Sequence, residues 1–240
     1  MICTRPSVAI NSIAPSACFN SARALFGTFF IAVLLAGCSA LPDKPQRATL
    51  FDFGPGTGAG TGTAAQQTAT RQALLPALAI DDITTAGGVL DNSAVLYRLG
   101  YEDEQELRLY ALARWSMPPA QLVRQRLRDR LSLTRPVYNA RESLALNRSQ
   151  SAVLPLQVRL ELLEFSHFFS SPLSSVGLVK LRATLVEVTP AGEKLINQRA
   201  IVVQRPAPSA DASGGVRALT LATDAAIDEI EQWLQASASR

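Results

Sequence analysis

His167 is the only histidine of the 240-residue chain, and it stands in Phe165-Ser166-His167-Phe168-Phe169-Ser170 among hydroxyls that a base could activate. A serine hydrolase needs such a base within hydrogen-bond reach of its nucleophile, oriented by a third group. Here the six residues close a run of strand-like alternation and lead into a Ser/Pro turn, so a structural or surface histidine is the simpler reading. A zinc site would have to draw its three further ligands from carboxylates or water. Two other stretches invite chemistry. Gly54–Thr70 is rich in glycine, yet no Gly-Lys-Ser/Thr follows and no amphipathic helix opens directly behind it, which argues against a phosphate-binding loop. Glu102-Asp103-Glu104-Gln105-Glu106 could attract a cation, but its spacing fits no calcium loop, and a solvated turn accounts for it. No catalytic set, metal site or cofactor is expected.

Cys38 is the residue with a committed chemistry. A weakly basic stretch carrying Arg5 and Arg23 leads into the apolar run Ala24–Ala36, as in a signal peptide. That run is shorter than the roughly 20 residues a transmembrane helix needs. It stops at Leu35-Ala36-Gly37-Cys38, which resembles a bacterial lipobox: small residues admit the peptidase, and the thiol receives a diacylglyceryl group before cleavage. The competing reading is an ordinary signal peptide that happens to contain a cysteine. One acyl chain, at about 0.8 kcal/mol per buried CH₂, binds a membrane only marginally, whereas several chains anchor it durably. Cys3 and Cys18 precede the cleavage point, so the mature chain keeps one acylated cysteine and has no disulfide. Ser39 follows where an aspartate is the usual signal for inner-membrane retention. In a Gram-negative host this points to the periplasmic face of the outer membrane rather than to the inner membrane.

The expected organisation is a signal peptide over 1–37, a lipidated N-terminus and tether over 38–47, and one domain over 48–236 with a flexible loop at 54–70. Losing Arg5 and Arg23 lowers the net charge from +3 to +1, so the mature domain lacks the basic footprint of a nucleic-acid binder. Pro42 and Pro45 make Ser39–Arg47 an extended tether with a reach of about 30 Å.

Alternation predicts strands at Thr49–Phe53 and Leu74–Asp81, and a hairpin of Ala94–Leu99 with Leu107–Ala111 around the acidic turn. Three successive strands follow over Val153–Phe165, Gly177–Val188 and Glu193–Gln204, forming an antiparallel meander. A helix opens at Ser116-Met-Pro-Pro119, with Ser116 as cap and Ala120, Val123, Leu127 and Leu131 as its buried stripe. Its Arg124, Arg126, Arg128 and Arg130 could meet phosphates or an acidic partner, but Asp129 dilutes them and a solvated face is expected. A last helix buries Val216, Leu219, Thr223, Ala226, Ile227, Ile230 and Leu234. The fold class is α+β, a mainly antiparallel β-sheet with two amphipathic helices packed on one face. The loop Phe168–Val176 is a candidate partner or lipid contact through Phe168, Phe169 and Leu173. The alternative is that these side chains fold back over the edge of the core.

With the lipobox and the short aromatic strand, four features resemble the ABC-type transport auxiliary lipoproteins of the paraquat-inducible kind. These are Tyr97-Arg98, Tyr110 with Arg114-Trp115-Ser-Met-Pro-Pro119, Val179-Lys-Leu-Arg-Ala-Thr184, and Val202-Val-Gln-Arg-Pro206. The resemblance implies a non-enzymatic subunit that accompanies an inner-membrane ABC permease, its ATPase and an MCE-domain protein in moving phospholipids or other hydrophobic molecules. It also allows a ring-like homo-oligomer. A small tethered α+β domain equally suits an outer-membrane lipoprotein that regulates a cell-wall synthase.

Overall fold

The computed structural model describes residues 46–56, 75–142, 154–189 and 191–238. The signal peptide, the lipobox with Cys38, the tether up to residue 45 and most of the glycine-rich loop lie outside the described residues.

Apolar residues at every second position draw the C-terminal half into long strands, because successive side chains point to opposite faces of a sheet. Strand β7 (Leu156–Ser171), β8 (Ser174–Thr189) and β9 (Gly192–Pro206) form the antiparallel meander expected, joined by two tight turns. The earlier strands are β1 (Thr49–Phe51), β2 (Leu78–Ile80), β3 (Thr84–Thr85), β4 (Ala94–Leu99), β5 (Asp103–Trp115) and β6 (Val137–Asn139). One edge of β7 pairs with β8. The other receives β2 at its start, β3 in its middle and β4 at its end, all three parallel to it. Beyond them lie β6 against β2, and β5 followed by β1 against β4.

The sheet is therefore mixed, not mainly antiparallel. A dozen or more residues must intervene before a parallel neighbour can be laid down. Helix α1 (Pro119–Ser132) lies in the crossover from β5 to β7, which brings β7 back parallel to β4.

Three local expectations also change. The acidic run is not a turn: Gly100–Glu102 makes the connection, and Asp103–Glu106 already belongs to β5. Ser116 does not cap α1. Its N–H donates to the Phe51 carbonyl at 2.7 Å, extending the β1–β5 ladder, and the helix begins after Pro118 with no side-chain cap. The segment Phe168–Val176 is not a loop, since the β7–β8 turn holds only Pro172 and Leu173 between strand ends.

Helix α2 (Ala212–Ala238) covers β8 and β9, and α1 packs against α2. All the apolar residues expected inward on both helices are buried. They close over a centre where Trp115 meets Phe53 and Phe165 edge-on, each at 5.6 Å between ring centroids. Such pairs add about 0.5–1.5 kcal/mol beyond the area they bury. Among the described residues no helix is long and apolar enough to cross a membrane.

Candidate functional site

His167 shares one face of β7 with Phe165 and Phe169, and that face turns toward α2. Its ring has no exposed surface. Nδ1 lies 2.9 Å from the Tyr110 hydroxyl on β5, and Nε2 lies 2.8 Å from the Ser175 hydroxyl on β8. Phe169 packs on the ring with centroids 4.3 Å apart. A Cβ at Gly215 would come within 2.4 Å of Nδ1, so only a glycine lets the first turn of α2 seat against the imidazole. Burial pushes the His167 pKa down to about 4, the nearby Asp211 charge opposing it only in part, and burial pushes the Tyr110 phenol up. The serine–histidine pair thus resembles a nucleophile with its base in distance alone. It is sealed from any substrate, and its hydroxyl partners complete a neutral imidazole inside the core. Ser166 is buried as well and donates to Glu164 at 2.6 Å, on the opposite face of the strand.

The arginines of α1 are not a solvated face. Arg126 pairs with Asp224 of α2 at 2.8 Å and donates to the Phe53 and Gly54 carbonyls at 3.0 and 3.3 Å. One turn on, Arg130 reaches Asp228 and Glu231. Arg124 and Arg128 converge on the amide oxygen of Asn139, the last residue of β6. The side chains of Arg126 and Asp224 are both mostly buried. Removing Arg126 leaves the Asp224 charge and two backbone carbonyls unsatisfied, whereas removing Asp224 leaves only the Arg126 charge without its counter-ion. Arg126→Ala is accordingly expected to lower the unfolding free energy by about 2 kcal/mol. A urea denaturation series with Arg126→Ala, Asp224→Ala and the double variant checks this; the double variant should cost clearly less than the sum of the singles.

Among the depressions on the surface of the described residues, two flank the ends of the helices. A cleft of 610 Å³ at the start of α1 is lined by Asp82, Asp91, Arg124 and Arg128, two charges of each sign, along with Met117 and Pro118. A groove of 280 Å³ lies between β1, β5 and the first turn of α2, with Phe51, Tyr110 and Leu112 in its wall. Neither contains a histidine or a cysteine. Among the described residues no group of three histidine, cysteine, aspartate or glutamate side chains could hold a metal ion.

Of the three contact residues expected from the sequence, Phe169 is buried in the aromatic cluster. Phe168 is half-buried, with its ring where a Cβ at Gly100 would sit. Leu173 alone projects, 91% exposed, from the β7–β8 turn.

The model of one protein family, the ABC-type transport auxiliary lipoprotein component, matches residues 60–231. The chain belongs to this family. The match takes in every strand from β2 onward, α1 and most of α2. Two solved structures share the fold. Protein XCC0632 from Xanthomonas campestris is 15% identical, with a TM-score of 0.57, and the match covers 68% of this chain and 86% of that one. An uncharacterized protein is 9% identical, with a TM-score of 0.55, covering 79% and 99%. Comparison with curated proteins finds no match. The sequence offered His167 and Arg126 as single residues; their partners Tyr110, Ser175 and Asp224 come with the fold, and both groups hold it together.

Proposed function

We propose that this chain is the lipid-anchored auxiliary subunit of an ABC-type transport system that works with an MCE-domain protein, a permease and an ATPase to move phospholipids or other hydrophobic molecules across the periplasm. The observation that carries the reading is the family match over residues 60–231. The lipobox and the burial of the only histidine agree with a subunit that binds and positions rather than reacts. In this reading residues 1–37 are removed, Cys38 is acylated, and Ser39 sends the protein to the periplasmic face of the outer membrane. A homo-oligomer is part of the same proposal.

Affinity capture after crosslinking in intact envelopes tests it, using the native chain and Cys38→Ala side by side. The native chain should bring down the MCE-domain protein, the permease and the ATPase. The variant should leave the outer-membrane fraction and lose them while keeping its fold by circular dichroism. Capture of none of the three, or a Cys38→Ala chain that still fractionates with the outer membrane, would overturn the reading. Recovery of a peptidoglycan synthase instead would transfer the protein to cell-wall regulation.

A further inference from the structure

The direction of β1 and the length of the tether bear together on which surface of the domain meets the membrane. Strand β1 runs parallel to β5, with Thr49 opposite Ala113 and Phe51 opposite Trp115. The chain therefore enters β1 from the side facing the earlier residues of β5, and so from the direction of the β4–β5 turn. From Ala113 back to Asp103 that strand extends ten residues, or about 34 Å. Eleven residues separate Cys38 from the start of β1, inclusive of Cys38, and fully extended they span at most about 38 Å. A lipid on Cys38 thus lies within about 38 Å of Thr49. Because the chain enters β1 from this side, the end of the domain that carries the two turns and the free edge of β5 are within its reach.

Other elements converge on the same end. Strand β4 is parallel to β7, and the Gly100 N–H donates to the Phe169 carbonyl at 2.9 Å. The β4–β5 turn therefore lies beside the β7–β8 turn. Helix α2 also begins here, its Gly215 against His167. Beside the exposed acidic run Glu102–Glu106, this end presents apolar side chains to solvent: Leu173 at 91% and Tyr101 at 42% on the two turns, with Leu109 and Leu112 along the edge of β5 and Leu112 in the wall of the 280 Å³ groove. The acidic residues nearby are partly neutralised, since Arg108 pairs with both Glu102 and Glu106. Side chains with an apolar body and a polar tip, such as Tyr101, are the kind favoured at a membrane interface.

We infer that the domain rests on the lipid surface that anchors it, with the adjacent β4–β5 and β7–β8 turns dipped into the headgroup region through Tyr101 and Leu173 and the β5 edge lying alongside. The inference rests on acylation of Cys38. It orients the domain: the far end of α2 and the C-terminal end of α1, joined by Arg130 to Asp228 and Glu231, face away from the membrane.

The test uses the mature acylated protein, in which an introduced cysteine is the only free thiol. Tyr101→Cys, Leu109→Cys and Leu173→Cys are labelled with the environment-sensitive fluorophore NBD. Leu133→Cys, at a residue 73% exposed just beyond α1 at the opposite end, serves as control. The proteins are reconstituted into vesicles of phosphatidylethanolamine and phosphatidylglycerol containing spin-labelled phosphatidylcholine. Labels at positions 101 and 173 should shift to the blue and be quenched several-fold more than the label at 133, with 109 in between. Equal quenching at all positions in vesicles that float with their protein would overturn the inference while leaving the anchor intact. A protein that fails to float would bring down the anchor and this inference with it. A blue shift without quenching that grows with protein concentration would mean that a second copy covers the surface, and would overturn it too.

Discussion

Gly177→Val is expected to unfold the domain or reduce its stability to a small remainder. Gly177 lies on β8 opposite His167 of β7 and Arg205 of β9, where the sheet passes under the second turn of α2. A Cβ there would stand 2.4 Å from the Ala218 carbonyl carbon and the Leu219 nitrogen, and 2.7 Å from the Ala218 oxygen. These are helix backbone atoms and cannot turn aside as a side chain would. Overpacking a core typically costs about 1–3 kcal/mol when side chains can adjust. Lifting α2 would in addition open contacts of Val216 and Leu219, so the loss should exceed about 3 kcal/mol, a large fraction of the roughly 5–15 kcal/mol that holds a domain together. Gly177→Ala should fall between this variant and the native chain. Gly87→Val is the control, because its backbone is extended and a Cβ there meets nothing within 4 Å; it should change stability by less than about 0.5 kcal/mol. Thermal melts followed by circular dichroism separate the three. A Gly177→Val chain that melts with the native one would mean that α2 is not seated on β8 as described.

The close approach also shows which parts of the fold could be read along the chain. Alternation in Leu156–Ser171 and the 3.6-residue period in α1 and α2 depend on which face a side chain takes, and the buried residues follow them. Strand direction leaves no such trace, because a parallel and an antiparallel neighbour demand the same alternation. That is why the segments of β2 and β4 were expected as strands without their parallel sense. Two- and three-residue strands such as β3 and β6 are too short for a period to register at all. Arginine pairing is similarly hidden: Arg126 and Asp224 are 98 positions apart, so their contact exists only after α1 and α2 have been laid side by side. The burial of His167, by contrast, had a signal in the sequence. It shares the odd-numbered positions of β7 with Phe165 and Phe169, and a residue two places from a core phenylalanine on each side belongs to the same covered face.

The candidate site divides along the same line. Cys38 is legible only as sequence, through the small residues before it and the end of an apolar run. The membrane-facing end of the domain is legible only in three dimensions, through the direction of β1 and the side-by-side turns. Leu173 belongs to both: the sequence offered it either as a contact residue or as one folded over the core edge, and its exposure, like the burial of Phe169, follows from the length of β7.

Acidification is expected to destabilise the native domain through His167 over a window that the carboxylates cannot account for alone. In the unfolded chain the imidazole titrates near 6.5, and in the folded protein burial holds its pKa at about 4. Between these values the unfolded state binds a proton that the folded state does not, so stability rises with pH there and falls as pH drops from 6.5 toward 4. The gap of about 2.5 units corresponds to about 3 kcal/mol at 1.36 kcal/mol per unit, an upper figure for a ring whose two hydroxyl partners could also accept from an imidazolium. Below pH 4 this contribution no longer changes. Asp211, whose carboxyl is held below its usual range chiefly by the Gly214 N–H, loses its own stabilisation at lower pH and would extend the decline. Urea unfolding at pH 7, 5.5 and 4.5, on the native chain and on His167→Gln, separates the two groups. The glutamine keeps polar contacts toward Tyr110 or Ser175 but cannot titrate, so the variant should start less stable at pH 7 and show a flatter dependence between 6.5 and 4.5. Identical slopes for the two proteins would mean that His167 reaches water and protonates in the folded state. The sealed Tyr110–His167–Ser175 chain would then have to be abandoned, and a reactive histidine would return to consideration.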